Sequence, residues 1–235
     1  MLLAALAFSY ADWNAVLEAH VDERGTVDYA ALAAAPERLD RFLAEVERTS
    51  PEKEPALFPS REDRLAYYVN AYNAWVIRGV LVRGPEKESV WKGGLVSGYS
   101  FFVGMEIVLG GKKTNLKKLE DKTIRAVFAD PRVHAALNCA SRGCPRLPRK
   151  AFEPAGLDAR LDEAMREFVS EDRNVSLDAA ARRVTLSKIF DWYSADFLAF
   201  ERKQGNPDAS IVDYVNRYRA AGSAVPRDWT VRFAE

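Results

Sequence analysis

The sequence RLAYYVNAYNAWVIRGVLVR, residues 64–83, predicts the strongest helix of the chain. Ser60 stands as its cap with Asp63 three residues later, the spacing of a capping box. Leu65, Tyr68, Tyr72, Trp75, Val76 and Val80 form one stripe at helical spacing, and Ala66, Asn70, Asn73, Ile77 and Leu81 form an adjoining one. Two adjoining stripes take up most of the circumference, so this helix is expected to be buried nearly all round. Asn70 and Asn73 are then i, i+3 neighbours on a largely apolar cylinder, where an amide without partners costs about 1–3 kcal/mol. Each is expected either to hydrogen-bond a loop or to orient a group in a site. Gly84-Pro85 ends the helix.

On its N-terminal side, Trp13, Val16, Leu17 and His20 predict a short amphipathic helix over Asp12 to Val21, capped by Asp12. A turn at Asp22 to Gly25, an extended piece at Val27 to Tyr29 and a helix over Glu37 to Thr49 follow, then a proline-rich loop from Ser50 to Pro59. On the C-terminal side comes a glycine-rich stretch around Gly93, Gly94 and Gly98. Strands are expected at Tyr99 to Val103 and Glu106 to Leu109, with tight turns near Gly104 and at Gly110-Gly111. Thr114 or Asn115 caps a helix through Phe128, Pro131 breaks it, and Val133 to Cys139 reads as a strand. A helix over Gly156 to Ser170, a hairpin from Asn174 to Leu177 and Arg183 to Leu186, helices from Ser187 and over Asp208 to Ala220, and an extended Trp229 to Phe233 complete the chain. No internal repeat or linker composition interrupts it. The pattern predicts an α+β fold, a mainly helical single domain over 12–235 with a small mixed or antiparallel sheet.

The 235 residues are 48% hydrophobic and 11% aromatic, which suits an ordinary globular core. Thirty-four basic residues balance 34 acidic ones. That balance argues against a specific nucleic-acid binder, although Lys112, Lys113, Lys117 and Lys118 make a local basic patch. No apolar run reaches the roughly 20 residues of a membrane-spanning helix. Within 1–11, Leu2 to Phe8 resembles a signal-peptide core and Ser9-Tyr10-Ala11 a small-x-small cleavage site, but no basic residue precedes them. Export to an oxidising compartment and residence in the cytoplasm both stay open, and two cysteines suit one bridge outside or two thiols inside.

Both cysteines fall in DPRVHAALNCASRGCPRLP, residues 130–148, with His134, Asn138, Arg132, Arg142 and Arg146, and Arg149 just beyond. Thiolate is the reactive form of cysteine, and nearby cations favour it. If Val133 to Cys139 is a strand, His134 and Asn138 face one side and Cys139 the other. Cys144, beyond the turn at Ser141 to Gly143, escapes that constraint and is the better nucleophile candidate.

Together these segments resemble the domain of unknown function 547 family. The resemblance rests on GTVDYAAL at 25–32, AYYVNAYNAWVIRGVL at 66–81, GGKK at 110–113, DPRVHAALNCASRGCPRL at 130–147, LSKIFDWYSADF at 186–197 and DWTV at 228–231. It implies that Asn70, Asn73, His134, Cys139, Cys144 and the pair Trp192-Tyr193 belong to the family's motifs. It implies no activity, since the family's name records none. Asn138 departs from the pattern, in which many members carry valine, and either adds a hydrogen-bonding group or replaces a packing residue.

Four readings of the loop stand side by side. In a thiol-dependent hydrolase or transferase, Cys144 or Cys139 is the nucleophile, His134 the base, and Asn73 or an acidic residue the orienter. The order Asn, His, Cys is not that of the papain-like proteases. A Cys139–Cys144 disulfide, structural or redox-active, is the second. A metal site on His134, Cys139 and Cys144, completed by His20 or Asp130, is the third, with a spacing unlike familiar zinc motifs. In the last, the chain is an interaction module for a peptide or protein near Trp192-Tyr193. No P-loop, GxGxxG or G-x-S-x-G motif is present, so no cofactor is expected and the partner is an unnamed small molecule or peptide. The oligomeric state stays open.

Overall fold

The computed structural model describes residues 7–84, 95–141 and 143–234, and only the backbone of 95–98. Most of the run Leu2 to Phe8, Pro85, the glycines Gly93 and Gly94, and Arg142 lie outside the described residues. The fold is mainly helical α+β, 54% helix and 10% strand with two small sheets, as the patterning predicts. The chain groups into two compact units, Met1–Phe128 with Leu137–Asp158, and Ala129–Ala136 with Ala159–Glu235.

In the first unit, α1 (Ala11–His20), α2 (Tyr29–Ala34), α3 (Glu37–Arg48) and α4 (Arg61–Arg83) gather around an aromatic core. The Ser60 hydroxyl accepts from the Asp63 N–H while the Asp63 carboxylate accepts from the Ser60 N–H, the predicted capping box. Every side chain of α4 from Leu65 to Ile77 is buried. Tyr67, which lies in neither predicted stripe, donates its hydroxyl to Val46 O and Thr49 O and so ties α4 to the end of α3. Trp13 stacks on Phe42 at 5.5 Å, and Phe8, Tyr10 and Phe58 close the cluster against Tyr67. Two boundaries differ from expectation. Asp12 is no cap: it sits in the first turn of α1 and accepts from Arg38 and Arg41 of α3. Tyr29 is helical rather than extended, because the Asp28 carboxylate caps α2 through Ala31 N.

Tyr99 to Val103 is not a strand but part of α5 (Leu95–Gly104). Gly79 on α4 leaves room for the Phe101 ring of this helix. A Cβ there would stand 2.6 Å from the Phe101 ring and 2.5 Å from Met105 Sδ. β1 (Glu106–Leu109) therefore pairs with β2 (Lys112–Asn115), antiparallel, Glu106 opposite Asn115 and Leu109 opposite Lys112. The turn between them needs φ of +55° and +84°, which Gly110 and Gly111 supply. Asn115 caps α6 (Leu116–Lys118), which runs through a π-helical stretch, Leu119–Arg125, into α7 (Ala126–Phe128).

In the second unit the expected strand from Val133 is absent, and Pro131–Ala135 forms a 3-10 turn instead. The Asp130 carboxylate accepts from Arg132 N and Pro131 occupies the first helical position, so the chain is already turning where the alternation begins. His134 and Cys139 are therefore not set on opposite faces of one strand, as the alternation predicts. The predicted hairpin forms from β3 (Val175–Asp178) and β4 (Arg183–Leu186) after α8 (Leu157–Ser170), with Val175 opposite Leu186. The aromatic helix predicted from Ser187 is two pieces, α9 (Lys188–Trp192) and α10 (Ser194–Lys203), broken at Tyr193. α11 (Ile211–Tyr218) follows, and β5 (Thr230–Phe233) joins β4 in parallel, making the sheet mixed. Phe168, Phe190, Phe197 and Tyr214 form the core between these elements.

Candidate functional site

Cys139 and Cys144, in the first unit, are joined by a disulfide with their α-carbons 5.7 Å apart. A bridged sulfur is neither nucleophile nor metal ligand until it is reduced. The two sulfurs are not equivalent: Cys144 is 2% exposed, whereas Cys139 is only half-buried. The Ser141 hydroxyl is 3.1 Å from Cys144 Sγ and 3.9 Å from Cys139 Sγ. As the only hydrogen carrier of the three atoms, it donates, and chiefly to Cys144. Ala140 closes the ring at φ +52°, a left-handed conformation that costs a non-glycine residue about 1 kcal/mol or more.

What holds this loop is a pair of asparagines. Asn138 donates its backbone N–H to Asn73 Oδ1 at 2.9 Å, which fastens the loop to α4. Its side chain then spans the ring, Oδ1 accepting from Ala140 N at 2.8 Å and Nδ2 donating to Pro145 O at 2.8 Å. Asn138 is thus a hydrogen-bonding residue and not a packing one. Asn73 meets its expectation as a hydrogen-bonder to a loop, and the loop is the cysteine loop. Asn70, one turn earlier, is used elsewhere: Oδ1 accepts from Trp13 Nε1 at 3.0 Å and Phe152 N at 3.1 Å, and Nδ2 donates to Ala66 O at 2.8 Å and Phe152 O at 2.7 Å. Those four bonds fill the amide's capacity. Asn70 pins the chain at Phe152 to α1 and α4.

His134 belongs to the second unit. It is 4% exposed, with Nε2 2.8 Å from Asp196 Oδ2 and its ring stacked 4.0 Å over Tyr193, with Phe197 at 5.2 Å. Asp196 is a partner of the imidazole that the sequence leaves unidentified. It lies in the SADF end of the 186–197 motif, but 62 residues separate the two partners, and no local pattern marks a pair at that distance. Tyr193 is accordingly a partner of the imidazole, while its neighbour Trp192 is 49% exposed. Asp130 is engaged by Arg132, which also reaches Asp162. Burial pushes Tyr214 and Tyr218, which feel these charges, above the ordinary tyrosine range, so both stay protonated.

His20 ends α1 in the first unit and lines an open groove of about 520 Å³ with Glu18, Asp22, Glu23, Asp28 and Arg149. Among the described residues, no three His, Cys, Asp or Glu side chains come together to hold a metal ion. No described helix is long and apolar enough to cross a membrane.

No curated protein and no solved structure matches the chain. A family described as "Protein of unknown function, DUF547" does, over residues 57–169. The matched stretch contains α4 with both asparagines, the Gly110-Gly111 hairpin, His134 and the whole cysteine loop. GTVDYAAL, LSKIFDWYSADF and DWTV lie outside it. Helix, hairpin and loop occur in the expected order within that stretch, and over residues 57–169 the chain is similar to the DUF547 family.

Proposed function

We propose that the Cys139–Cys144 loop is a thiol–disulfide exchange site, acting on thiols or disulfides of small molecules or peptides. The observation that supports this is the asymmetry of the bridge: Cys139 is half-buried, while Cys144 is buried with its sulfur 3.1 Å from the Ser141 hydroxyl. An external thiolate attacks Cys139 Sγ. A new S–S bond forms as the internal one breaks, and Cys144 leaves as a thiolate that the Ser141 hydroxyl stabilises before a proton arrives. A second external thiolate attacks the external sulfur of the mixed disulfide and releases Cys139. Two thiols are each oxidised by one electron, and the bridge gains two. Run backwards, the same steps oxidise a substrate dithiol.

The test is equilibration of the folded protein in glutathione redox buffers, followed by alkylation and intact-mass analysis. A reversible couple, read as a gain of about two daltons on reduction before alkylation, supports the reading. A bridge that stays closed in the folded protein down to about −300 mV is structural, and the interaction-module reading then takes its place.

A further inference from the structure

Disulfide and hydrogen bonds in this loop close the same ring twice. The covalent closure runs from Cys139 to Cys144. One residue outside it on either side, Asn138 and Pro145 are joined by the bond from Asn138 Nδ2 to Pro145 O at 2.8 Å. The same side chain takes the N–H of Ala140 on Oδ1 at 2.8 Å, and so acts on the residue that carries the left-handed turn. Asn138 in turn is fixed through its own N–H by Asn73, on a helix whose side chains are buried throughout this region. None of these bonds uses a sulfur atom. Cutting the S–S bond therefore leaves them in place, together with the turn from Cys144 N to Ser141 O at 3.1 Å.

We infer that Asn138 is a positioning residue for thiol–disulfide exchange: its amide clasps the two ends of the loop and keeps the two thiols at bonding distance after reduction. The inference rests on the exchange reading for its purpose and on the geometry for its mechanism. A thiol held opposite its partner meets it at a high effective concentration, because the ordering entropy of closing the ring has already been lost. The clasped dithiol re-forms its bridge readily, and the couple is the more reducing for it. The clasp also explains why the loop tolerates Ala140 at positive φ. The Asn138 carboxamide oxygen offers that residue's N–H a partner in the turned conformation, which an apolar side chain at 138 does not.

The experiment is a redox titration of the full chain and its Asn138→Ala, Asn138→Val and Asn138→Asp variants against dithiothreitol and, separately, glutathione, read by alkylation and mass. Loss of the side-chain amide in Asn138→Ala and Asn138→Val should lower the effective concentration of the dithiol about tenfold, equivalent to a potential about 30 mV less negative. Asn138→Asp keeps the acceptor for Ala140 N and should fall between wild type and Asn138→Ala. Far-ultraviolet dichroism and urea unfolding of the oxidised variants establish that they are folded before comparison, and Asn138→Val, close in volume, serves where Asn138→Ala does not fold. Potentials within about 5 mV of wild type in folded variants overturn the inference. The dithiothreitol titration reads the clasp even if Cys139 never forms a mixed disulfide with glutathione, so failure of the exchange reading and failure of the clasp are separate results.

Discussion

Asn70, Asn73 and Asn138 show what a buried amide does when the backbone around it has no regular partner. Each meets main-chain groups that an irregular segment would otherwise leave unsatisfied, at Phe152, at Asn138 N, and at Ala140 and Pro145 respectively. Asn70→Ala removes four bonds and takes from the buried Trp13 Nε1–H its side-chain acceptor. It is expected to cost about 3 kcal/mol or more in urea unfolding, and a loss below about 1 kcal/mol contradicts this assignment. The presence of polar residues at 70 and 73 on an apolar helix was readable because the spacing made them anomalous. Their separate destinations were not, because Phe152 and Asn138 are 82 and 65 residues away. The same distance concealed Asp196 from His134.

At the level of elements, local chemistry predicts structure where its signal is strong and loses where tertiary packing stabilises an alternative more. The Ser60 capping box, the Gly110-Gly111 turn and the 175–186 hairpin formed as their residues dictate. Tyr99 to Val103 is helical and sets Phe101 against Gly79, a contact that no window of sequence contains. At Val133 to Cys139 two local cues compete. Asp130-Pro131 specifies a turn start, and its side-chain cap and fixed φ prevail over the apolar alternation that follows. The last helix offers a pH test. Asp213 closes the capping box of α11 and is held at about 2, below its ordinary 3.8, by the Arg227 guanidinium and the Ser210 N–H and hydroxyl, against the opposing pull of desolvation. A depressed folded-state pKa contributes stability above the unfolded value, and this is lost as pH falls toward the folded one. Asp213→Asn should therefore be less stable than wild type in urea at neutral pH, with the gap closing between about pH 4 and pH 2. A gap that stays constant across that window contradicts the role given to the carboxylate.

For the whole molecule, the composition and periodicity were enough to place the chain among mainly helical α+β folds, because class depends on many residues and tolerates single errors. The grouping into two compact units was not legible, since neither linker composition nor a charge break marks it. Nor could the sequence alone choose between two thiols and a bridge, since the spacing of Cys139 and Cys144 permits both. Closing a ring this small contributes about 2 kcal/mol in the chain-entropy estimate. Reduction should lower the unfolding free energy by that amount without abolishing the fold, and collapse of the reduced protein at 25 °C contradicts it. The central claim is that the bridge opens by attack on Cys139, the less buried of its two cysteines. Brief exposure of the oxidised protein to reduced glutathione, an acid quench, alkylation and peptide mass mapping should find glutathione on Cys139 and the alkyl group on Cys144. Glutathione on Cys144, or on neither cysteine while dithiothreitol also leaves the folded bridge intact, contradicts it.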